Sequence, residues 1–426
     1  MIFDSESVFE ENVITVLKQH GWKDGVLRYP TERDLLDNWK DILYRNNNDI
    51  DRLGKYPLTD GEMAQIIEQI ETLRTPLALN SFVNGRTVSI TRDNKEDVAH
   101  FGKEVSLYIY DRKEIAGGKS TYQIVQQPVY PAKNTMLNSR RGDLVLLING
   151  MPLIHIELKK SGIPVSQATN QIEKYAHEGV FTGLFRLVQI FVAMNPDDAV
   201  YFANPGVDKF NPSYYFHWAD YNNEPICGGQ NPGKDEWKLF IGGTSGTAGL
   251  LSIPMAHQLI GFYTIADSAD GCLKVLRSYQ YIAANAISDV VRKCDWEQRP
   301  ATPGRPGGYV WHTTGSGKTM TSFKSAQLIA DSHDADKVVF LMDRIELGTQ
   351  SLKEYRSFAD SETEVQGTEN TGVLRDKLNS TNVNDTLIVT SIQKMSNVKA
   401  GERGVTQTWL DQLAAQRIVF IVDECH

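Results

Sequence analysis

The spacing of apolar residues changes along the chain and marks its predicted elements. Along residues 5–22 apolar positions recur every three or four residues, which predicts an amphipathic helix capped by Ser5 and stopped by Gly21. This apolar stripe consists of Phe9, Val13, Val16 and Leu17. A second helix is predicted at GEMAQIIEQIETL, residues 61–73.

From residue 87 onward the pattern becomes that of β-strands. Five segments are apolar or alternate between apolar and polar residues, and Gly, Asn and Asp separate them. They are TVSIT (87–91), VSLYIYD (105–111), TYQIVQQPVY (121–130), DLVLLI (143–148) and PLIHIEL (152–158). Their short connections predict one largely antiparallel sheet. The helix SQATNQIEKYAHEG, residues 166–179, is predicted to follow it.

A second region begins near residue 256. Helical sequence at 273–293 leads into EQRPATPGRPGG, which predicts a loop because it is rich in Pro and Gly. Four strands separated by helical segments are then predicted, a rhythm typical of a parallel sheet. They are YVW (309–311), KVVFLM (337–342), TLIVT (386–390) and RIVFIV (417–422). We therefore predict an α/β protein with domains at 1–255 and 256–426.

The composition excludes several classes of protein. The 426 residues are 41% hydrophobic and 23% charged, the first residues are acidic, and no run of eighteen apolar residues occurs. Four distant cysteines (227, 272, 294 and 425) favour neither a zinc site nor a disulfide framework, so we expect a cytoplasmic location and no membrane partner. A net charge of −9 argues against a uniformly basic surface, although a local basic groove remains compatible with it.

The segment HTTGSGKTM, residues 312–320, contains the GxGKT core of a phosphate-binding loop. Its glycines let backbone N–H groups approach phosphates, its lysine supplies charge, and Thr319 offers a hydroxyl to Mg²⁺. His312 stands where the full pattern has glycine. The predicted nucleotide-binding residues are Thr314, Gly315, Ser316, Gly317, Lys318 and Thr319.

Two carboxylates follow the last predicted strand. Asp423 is expected to hold Mg²⁺ beside the phosphate loop, and Glu424 to orient and deprotonate the attacking water. A strand end of this kind means little alone, but it accompanies a phosphate loop about a hundred residues earlier.

These segments together carry a family resemblance. HTTGSGKT, DRIELGTQ (343–350), TSIQKM (390–395) and DECH (423–426) resemble motifs I, Ia, Ic and II of superfamily 2 helicases and translocases. With RSYQ at 277–280, the set is especially similar to the motor subunit of type I restriction enzymes. The resemblance implies a first RecA-like domain that binds ATP and Mg²⁺, with Arg277 and Gln280 near the nucleotide. It also implies that the chain is a piece of a larger motor, cut at motif II.

The same resemblance implies a nuclease ahead of the motor. RRGDLVLLINGMPLIHIELKK, residues 140–160, predicts a hairpin around Asn149-Gly150. Asp143 opens its first strand, and Glu157 and Lys159 share a face of the second. Two carboxylates can hold Mg²⁺ against a scissile phosphate while an ammonium offsets charge. The pattern resembles the PD-(D/E)xK nucleases, and it makes Asp143 and Glu157 the expected metal ligands.

Strand register tests this hypothesis. A two-residue turn pairs residue 142 with Glu157, so Asp143 would point away from the other two side chains. A three-residue loop, Ile148 to Gly150, pairs Asp143 with His155 and places all three on one face. Apolar residues on both faces leave the choice open, and the nuclease hypothesis requires the second register or an equivalent kink near Asp143.

Further residues extend the predicted nuclease site. Gln171 and Tyr175 are four residues apart on one helix face and resemble the QxxxY motif of type I restriction nucleases. Glu10 or Glu11, with Glu10 aligning better, resembles the acidic residue that this family brings to its metal site. His155 is expected to pack in the core rather than bind metal.

The sequence thus predicts a PD-(D/E)xK endonuclease domain followed by the first RecA-like domain of a type I restriction enzyme. The resemblance implies double-stranded DNA as substrate, and methylation and specificity subunits as partners. Two other hypotheses remain open: a translocase whose N-terminal domain only binds DNA, and a scaffold fragment with both sites idle.

Overall fold

The structure is a computed structural model, and the chain in it divides into two compact units. Residues 1–266 with 271–278 form the first unit, and residues 267–270 with 279–426 form the second. The boundary at 255/256 stays a prediction. The structure describes residues 2–115, 117–130, 140–231, 233–296, 307–342, 345–359, 364–401 and 405–423, without the side chains of 345–351.

Several helices of the first unit begin next to a residue whose side chain caps the helix. Ser5 Oγ accepts the N–H of Val8 at 3.3 Å, as predicted for the first helix, and Thr31 and Thr59 form capping boxes. The helices are α1 (Glu6–Gln19), α2 (Glu32–Asn46), α3 (Asp60–Thr72), α4 (Pro76–Asn84), α5 (Val165–Glu178), α6 (Glu236–Gly242) and α7 (Met255–Gly261).

Strands of the first unit form three sheets in the described part of the chain. The main sheet has the order β1-β4-β5-β6-β7-β8, in which β1/β4 and β6/β7 are parallel and the other pairs antiparallel. Its strands are β1 (Val26–Arg28), β4 (Tyr122–Gln126), β5 (Leu144–Ile148), β6 (Met151–Leu158), β7 (Ile190–Met194) and β8 (Ala199–Ala203). The smaller sheets pair β2 (Thr87–Thr91) with β3 (Glu104–Tyr108), and β9 (Thr264–Asp267) with β10 (Cys272–Val275).

The prediction of one sheet is therefore wrong in one respect. The segments that became β2 and β3 pair only with each other, in register from Thr87 opposite Tyr108 to Thr91 opposite Glu104. Their alternating burial fits a two-sided ribbon with one apolar face, whereas β4, β5 and β6 are buried at every position. The alternating burial of β2 and β3 thus distinguishes their sheet from the main sheet, in which β4, β5 and β6 are buried throughout.

The β5–β6 hairpin combines a two-residue turn with a bulge. Asn149 and Gly150 have φ of 52° and 83°, as type I′ turns require, so the hairpin has the two-residue turn and not the alternative three-residue loop. Farther from the turn the register shifts by one residue, because Leu146 pairs with Ile154 while Leu147 pairs with Pro152. Proline has no N–H to donate to the ladder, and inside sheets it is confined to bulges and edges.

The second unit is built on a parallel sheet with the order β12-β13-β11-β14 in the residues described. Its strands are β11 (Lys337–Met342), β12 (Val365–Gly367), β13 (Leu387–Ser391) and β14 (Ile418–Val422). Its helices are α8 (Ser278–Arg292), α9 (Lys318–Ser332), α10 (Ile345–Phe358), α11 (Thr371–Asn379), α12 (Ile392–Ser396) and α13 (Gln407–Ala415). The parallel sheet and the α/β class are confirmed.

Two details of the second region differ from the prediction. Residues 309–311 do not form a strand; Tyr309 and Trp311 are more than four-fifths exposed and pair with no neighbour in the sheet. Residues 272–275 form strand β10 where helix was predicted, because β-branched and apolar residues there pair with β9. No helix among the described residues is long and apolar enough to cross a membrane.

Candidate functional site

The hairpin bulge brings the three predicted nuclease residues together. Leu144 pairs with Ile156, which places Asp143 across from Glu157 and on the same face. Asp143 Oδ2 accepts the peptide N–H of Leu158 at 2.7 Å. Lys159 follows β6, and its Nζ lies 3.6 Å from Glu157 Oε1. The kink that the nuclease hypothesis requires is present. It arises from the bulge next to Pro152 and not from the turn.

Burial perturbs the carboxylates of this cluster. Glu157 is fully buried, which raises its pKa to about 7 although Lys159 acts to lower it. Burial, followed by repulsion from Glu157, raises the pKa of Asp143 well above its ordinary value. Two close carboxylates in such surroundings hold protons more tightly than isolated ones, and a bound cation would displace those protons.

The donor set of this cluster fits a hard divalent cation. Glu157 is fully buried, and its carboxylate lies beside that of Asp143, with the Lys159 ammonium at 3.6 Å. Two buried carboxylates beside one ammonium are costly unless a further positive charge compensates them. Among the described residues no three His, Cys, Asp or Glu side chains are placed to hold a metal ion by themselves. Mg²⁺ commonly binds through one or two carboxylates, with water and substrate phosphate as remaining ligands. Asp143 and Glu157 meet that requirement.

Glu10 lies beside this cluster, on the buried side of α1. Its carboxylate accepts hydrogen bonds from the side-chain amides of Gln126 at 2.5 Å and Gln127 at 3.3 Å. Burial raises its pKa, and the charge of Asp143 adds to that effect. Glu11 instead forms an exposed ion pair with Arg28 at 2.6 Å, so the structure favours Glu10 over Glu11.

The predicted QxxxY pair lies over the segment that leads into β5. Gln171 Nε2 donates to the hydroxyl of Tyr175 at 2.7 Å, and that hydroxyl donates to the carbonyl oxygen of Arg141 at 2.8 Å. Burial and the nearby charge of Glu157 raise the pKa of Tyr175 to about 12. The pair therefore fixes the backbone two residues before Asp143.

Several residues of this site were missed from the sequence. Gln126 ends β4 and Gln127 follows it; both side chains donate to Glu10, and Gln127 N–H donates to the carbonyl of Asp143 at 2.7 Å. Nothing in the local pattern marks them, because their partner is more than a hundred residues away. The bulge at Pro152 could have been predicted from the sequence, since a proline inside an internal strand indicates a bulge.

The predicted phosphate loop has the conformation that its glycines require. Gly315 and Gly317 have φ of 77° and 81°, a region that favours glycine, and α9 begins at Lys318. The first peptide N–H groups and the positive end of the helix dipole form an anion site. His312 Nδ1 lies 2.9 Å from Ser316 Oγ, which donates to the carbonyl of Thr313 at 2.7 Å.

The start of α8 supports the loop from one side. Tyr279 donates its hydroxyl to the carbonyl of Ser316 at 2.7 Å, and buried Gln280 donates to the carbonyls of Ser316 and Gly317 at 3.3 Å each. A Cβ at Gly317 would lie 2.5 Å from Gln280 Nε2. Gln280 thus contacts the loop backbone, and a role near the nucleotide stays a prediction.

The remaining predicted nucleotide residues are placed as follows. Asp423 follows β14, and its N–H donates to the carbonyl of Leu341 in β11 at 3.0 Å. Thr319 lies in the first turn of α9, and Thr314 is exposed in the loop. Arg277 belongs to the first unit, where its guanidinium lies 4.4 Å from the ring centroid of Phe216. Glu424 and the side chains of DRIELGTQ lie outside the described residues.

Comparison with known proteins finds relatives for both regions of the chain. The family described as type I restriction enzyme R protein N terminus matches residues 4–210, and the family described as SWI2/SNF2 ATPase matches residues 279–426. A type I restriction enzyme endonuclease subunit of Staphylococcus saprophyticus is 33% identical over 434 residues, which cover all of this chain and 40% of that protein. One from Staphylococcus aureus strain MSSA476 is 33% identical over 428 residues, with the same coverage.

A third relative is shorter. It is the C-terminal part of a type I restriction enzyme endonuclease subunit of Mycoplasma pneumoniae, 36% identical over 154 residues, which cover 36% of this chain and 72% of that protein. The chain belongs to the family of type I restriction enzyme endonuclease subunits. It spans about 40% of the length of its staphylococcal relatives.

Membership of the type I restriction endonuclease family confirms the predicted relationship and fold. The endonuclease-type α/β domain contains the Asp143 cluster, and the RecA-like ATPase domain contains the phosphate loop. The assignment of catalytic and metal-binding roles to individual residues stays a prediction.

Proposed function

We propose that this chain carries the DNA-cleaving site and the ATP-binding site of a type I restriction-modification enzyme. One observation above all supports the nuclease: the fully buried carboxylate of Glu157 lies opposite a second carboxylate and beside a lysine. A purely structural cluster would be expected to balance two buried carboxylates with equal positive charge.

In the proposed nuclease, Asp143 and Glu157 hold Mg²⁺, which supplies electrostatic stabilisation to the scissile phosphate. Lys159 Nζ lies 3.6 Å from both Glu157 and Glu6, so its charge stays at the carboxylate cluster, where it can orient water and offset phosphate charge. Glu10 adds a carboxylate near Asp143. Gln171 and Tyr175 fix the backbone at Arg141, in the segment that leads into β5.

In the proposed ATPase, the loop from Thr314 to Thr319 binds the phosphates, and Lys318 offsets their charge. Thr319 and Asp423 hold Mg²⁺, and Glu424 orients the attacking water. Gln280 is proposed to act beside this loop, where it donates to the carbonyls of Ser316 and Gly317. ATP hydrolysis would then drive translocation along double-stranded DNA, and cleavage would follow when translocation stalls.

The proposed setting is that of a cytoplasmic restriction complex. Methylation and specificity subunits are the proposed partners, and they would anchor the complex at its recognition site while this subunit moves the DNA. Two alternative functions are a translocase whose first domain only binds DNA and a scaffold in which both sites are inactive.

Cation binding separates these possibilities. Titration of the chain with Mn²⁺ by calorimetry is expected to show a site that Asp143→Asn and Glu157→Gln each weaken at least tenfold. Asp37→Asn, at an exposed ion pair on α2, is the control and leaves the affinity unchanged. A wild-type chain without this site, or with affinity unaffected by both substitutions, contradicts the nuclease and favours the DNA-binding translocase.

Activity in the full-length subunit, assembled with its partners, provides the second test. Asp143→Ala is expected to abolish DNA cleavage while ATP-driven translocation continues, because the Asp143 cluster and the phosphate loop belong to separate units. Loss of both activities would contradict independent sites. Absence of nucleotide binding by the wild-type chain would favour the scaffold.

A further inference from the structure

A fully buried histidine borders the candidate metal site. His155 lies in β6 two residues before Glu157 and is surrounded by aromatic rings at centroid distances of 5.4 to 6.5 Å. These rings belong to Tyr130, Tyr175, Phe181 and Phe191. An apolar residue would fill such a space without the cost of burying two ring nitrogens, so packing alone does not explain a histidine here.

Both ring nitrogens face polar atoms. Nδ1 lies 3.0 Å from the hydroxyl of Tyr130, and Nε2 lies 3.3 Å from Glu157 Oε2. The second contact is not aligned as a hydrogen bond, and both of its atoms are buried. Since Lys159 Nζ faces Oε1, each oxygen of the Glu157 carboxylate faces one nitrogen.

The chemistry of the three groups selects one tautomer. A neutral imidazole carries one N–H, and a phenol is a good donor to the other nitrogen. If the Tyr130 hydroxyl donates to Nδ1, the proton lies on Nε2, the ring nitrogen nearest Glu157. In the charged form of Glu157, which is the form that binds a cation, the opposite tautomer would place the Nε2 lone pair against the carboxylate, and that arrangement is repulsive.

We propose that His155, held by Tyr130, is a positioning residue that orients the Glu157 carboxylate for cation binding. The proposal rests on the proposed nuclease function. Gly142 supports the same arrangement, because a Cβ there would lie 2.6 Å from the Tyr130 hydroxyl and 2.9 Å from His155 Cε1. Glycine at position 142, next to Asp143, thus leaves room for the side chains of Tyr130 and His155 beside the backbone.

The physical effect is restriction of the carboxylate. Glu157 has three side-chain torsions, and a cation gains affinity when its ligand is already oriented. Hydrogen-bond partners of metal ligands are typically worth about 10- to 100-fold in metal affinity. Tyr130 contacts His155 and not Glu157 itself, so its hydroxyl is expected to contribute less to metal affinity.

The test measures Mn²⁺ affinity of the chain by calorimetry, together with its thermal midpoint. His155→Phe fills the aromatic space but lacks both nitrogens, and it is expected to weaken Mn²⁺ binding about 10- to 100-fold. His155→Gln retains an amide donor near the position of Nε2 and is expected to recover part of the loss. Tyr130→Phe is expected to weaken binding in the same direction but less.

His257 provides a matched control. It is also fully buried, with Nδ1 2.8 Å from the hydroxyl of Tyr122, but its Nε2 lies 3.0 Å from the carbonyl oxygen of Asp111 rather than a carboxylate. His257→Phe is expected to lower the thermal midpoint and leave Mn²⁺ affinity unchanged. A merely structural His155 would behave in the same way.

The outcomes separate this proposal from the nuclease itself. If Glu157→Gln abolishes Mn²⁺ binding while folded His155 variants bind as the wild type does, the positioning role is wrong and the metal site stands. If Glu157→Gln leaves binding unchanged, the metal site itself is wrong. Should His155→Phe fail to fold, wild-type Mn²⁺ affinity in both His155→Gln and Tyr130→Phe would overturn the proposal.

Discussion

Asp143 accepts a hydrogen bond of 2.7 Å from the peptide nitrogen of Leu158, the residue after Glu157. This bond ties the carboxylate that opens β5 to the end of β6, where the other candidate ligand lies. It forms only because the bulge in β6 shifts the register by one residue. Without that shift Asp143 would face the opposite side of the sheet.

The pH dependence of stability should reflect Glu157. Burial raises its pKa from 4.5 to about 7, so the folded chain binds this proton more tightly than the unfolded chain does. The contribution of Glu157 to wild-type stability therefore falls as pH rises from about 4.5 to about 7. Glu157→Gln is expected to be more stable than the wild type at pH 8 in EDTA, with a smaller difference below pH 4.5. Urea unfolding at each pH measures this, and parallel curves for the two proteins would contradict it.

Lys318 should carry much of the nucleotide affinity. It is the first residue of α9, where backbone N–H groups and the helix dipole already favour phosphate. Lys318→Ala is expected to weaken ATP binding at least tenfold, because the ammonium contact to the phosphates is lost. Fluorescence titration with a labelled ATP analogue measures the affinity. Lys353→Ala, at an exposed position on α10, should bind as the wild type does, and equal losses in both variants would refute a specific role.

Gly317 and Gln280 should be energetically coupled. A Cβ at Gly317 would lie 2.5 Å from Gln280 Nε2, and its φ of 81° also disfavours alanine. Gly315 has a similar φ of 77°, but no atom lies within 4 Å of a Cβ built there. Gly317→Ala is therefore expected to lower the thermal midpoint more than Gly315→Ala. Combining Gly317→Ala with Gln280→Ala should recover part of the difference, and a purely additive double variant would contradict direct contact.

A buried ion-pair network should stabilise the α3 region independently of function. Arg92 is fully buried, with NH1 2.6 Å from Glu62 and Nε 3.1 Å from Asp97. Arg92→Met leaves two buried carboxylates without their cation and is expected to destabilise the chain by about 3 to 5 kcal/mol. Urea unfolding measures the change. Arg33→Met, at exposed ion pairs, is the control and should have little effect; similar losses in the two variants would be inconsistent with this account.

Local chemistry in the sequence determined the elements whose partners are near in the chain. Ser5 caps α1, glycines at 315 and 317 shape the phosphate loop, and Asn149-Gly150 forms the turn of the hairpin. Each depends on the conformational preference of a few adjacent residues. The alternation of apolar segments with helices likewise predicted the parallel sheet of the second unit.

Tertiary structure alone decided which distant groups meet. The sequence left the register of β5 and β6 open, because apolar residues crowd both faces, and the structure placed the extra residue next to Pro152. Glu10 meets Gln126 and Gln127 only after α1 packs beside the end of β4. His155 was expected to be a packing residue, and its contact with Glu157 depends on two residues of one strand sharing a face in a dry interior. Sequence patterns record local preferences, whereas these contacts depend on how strands and helices pair across the whole unit.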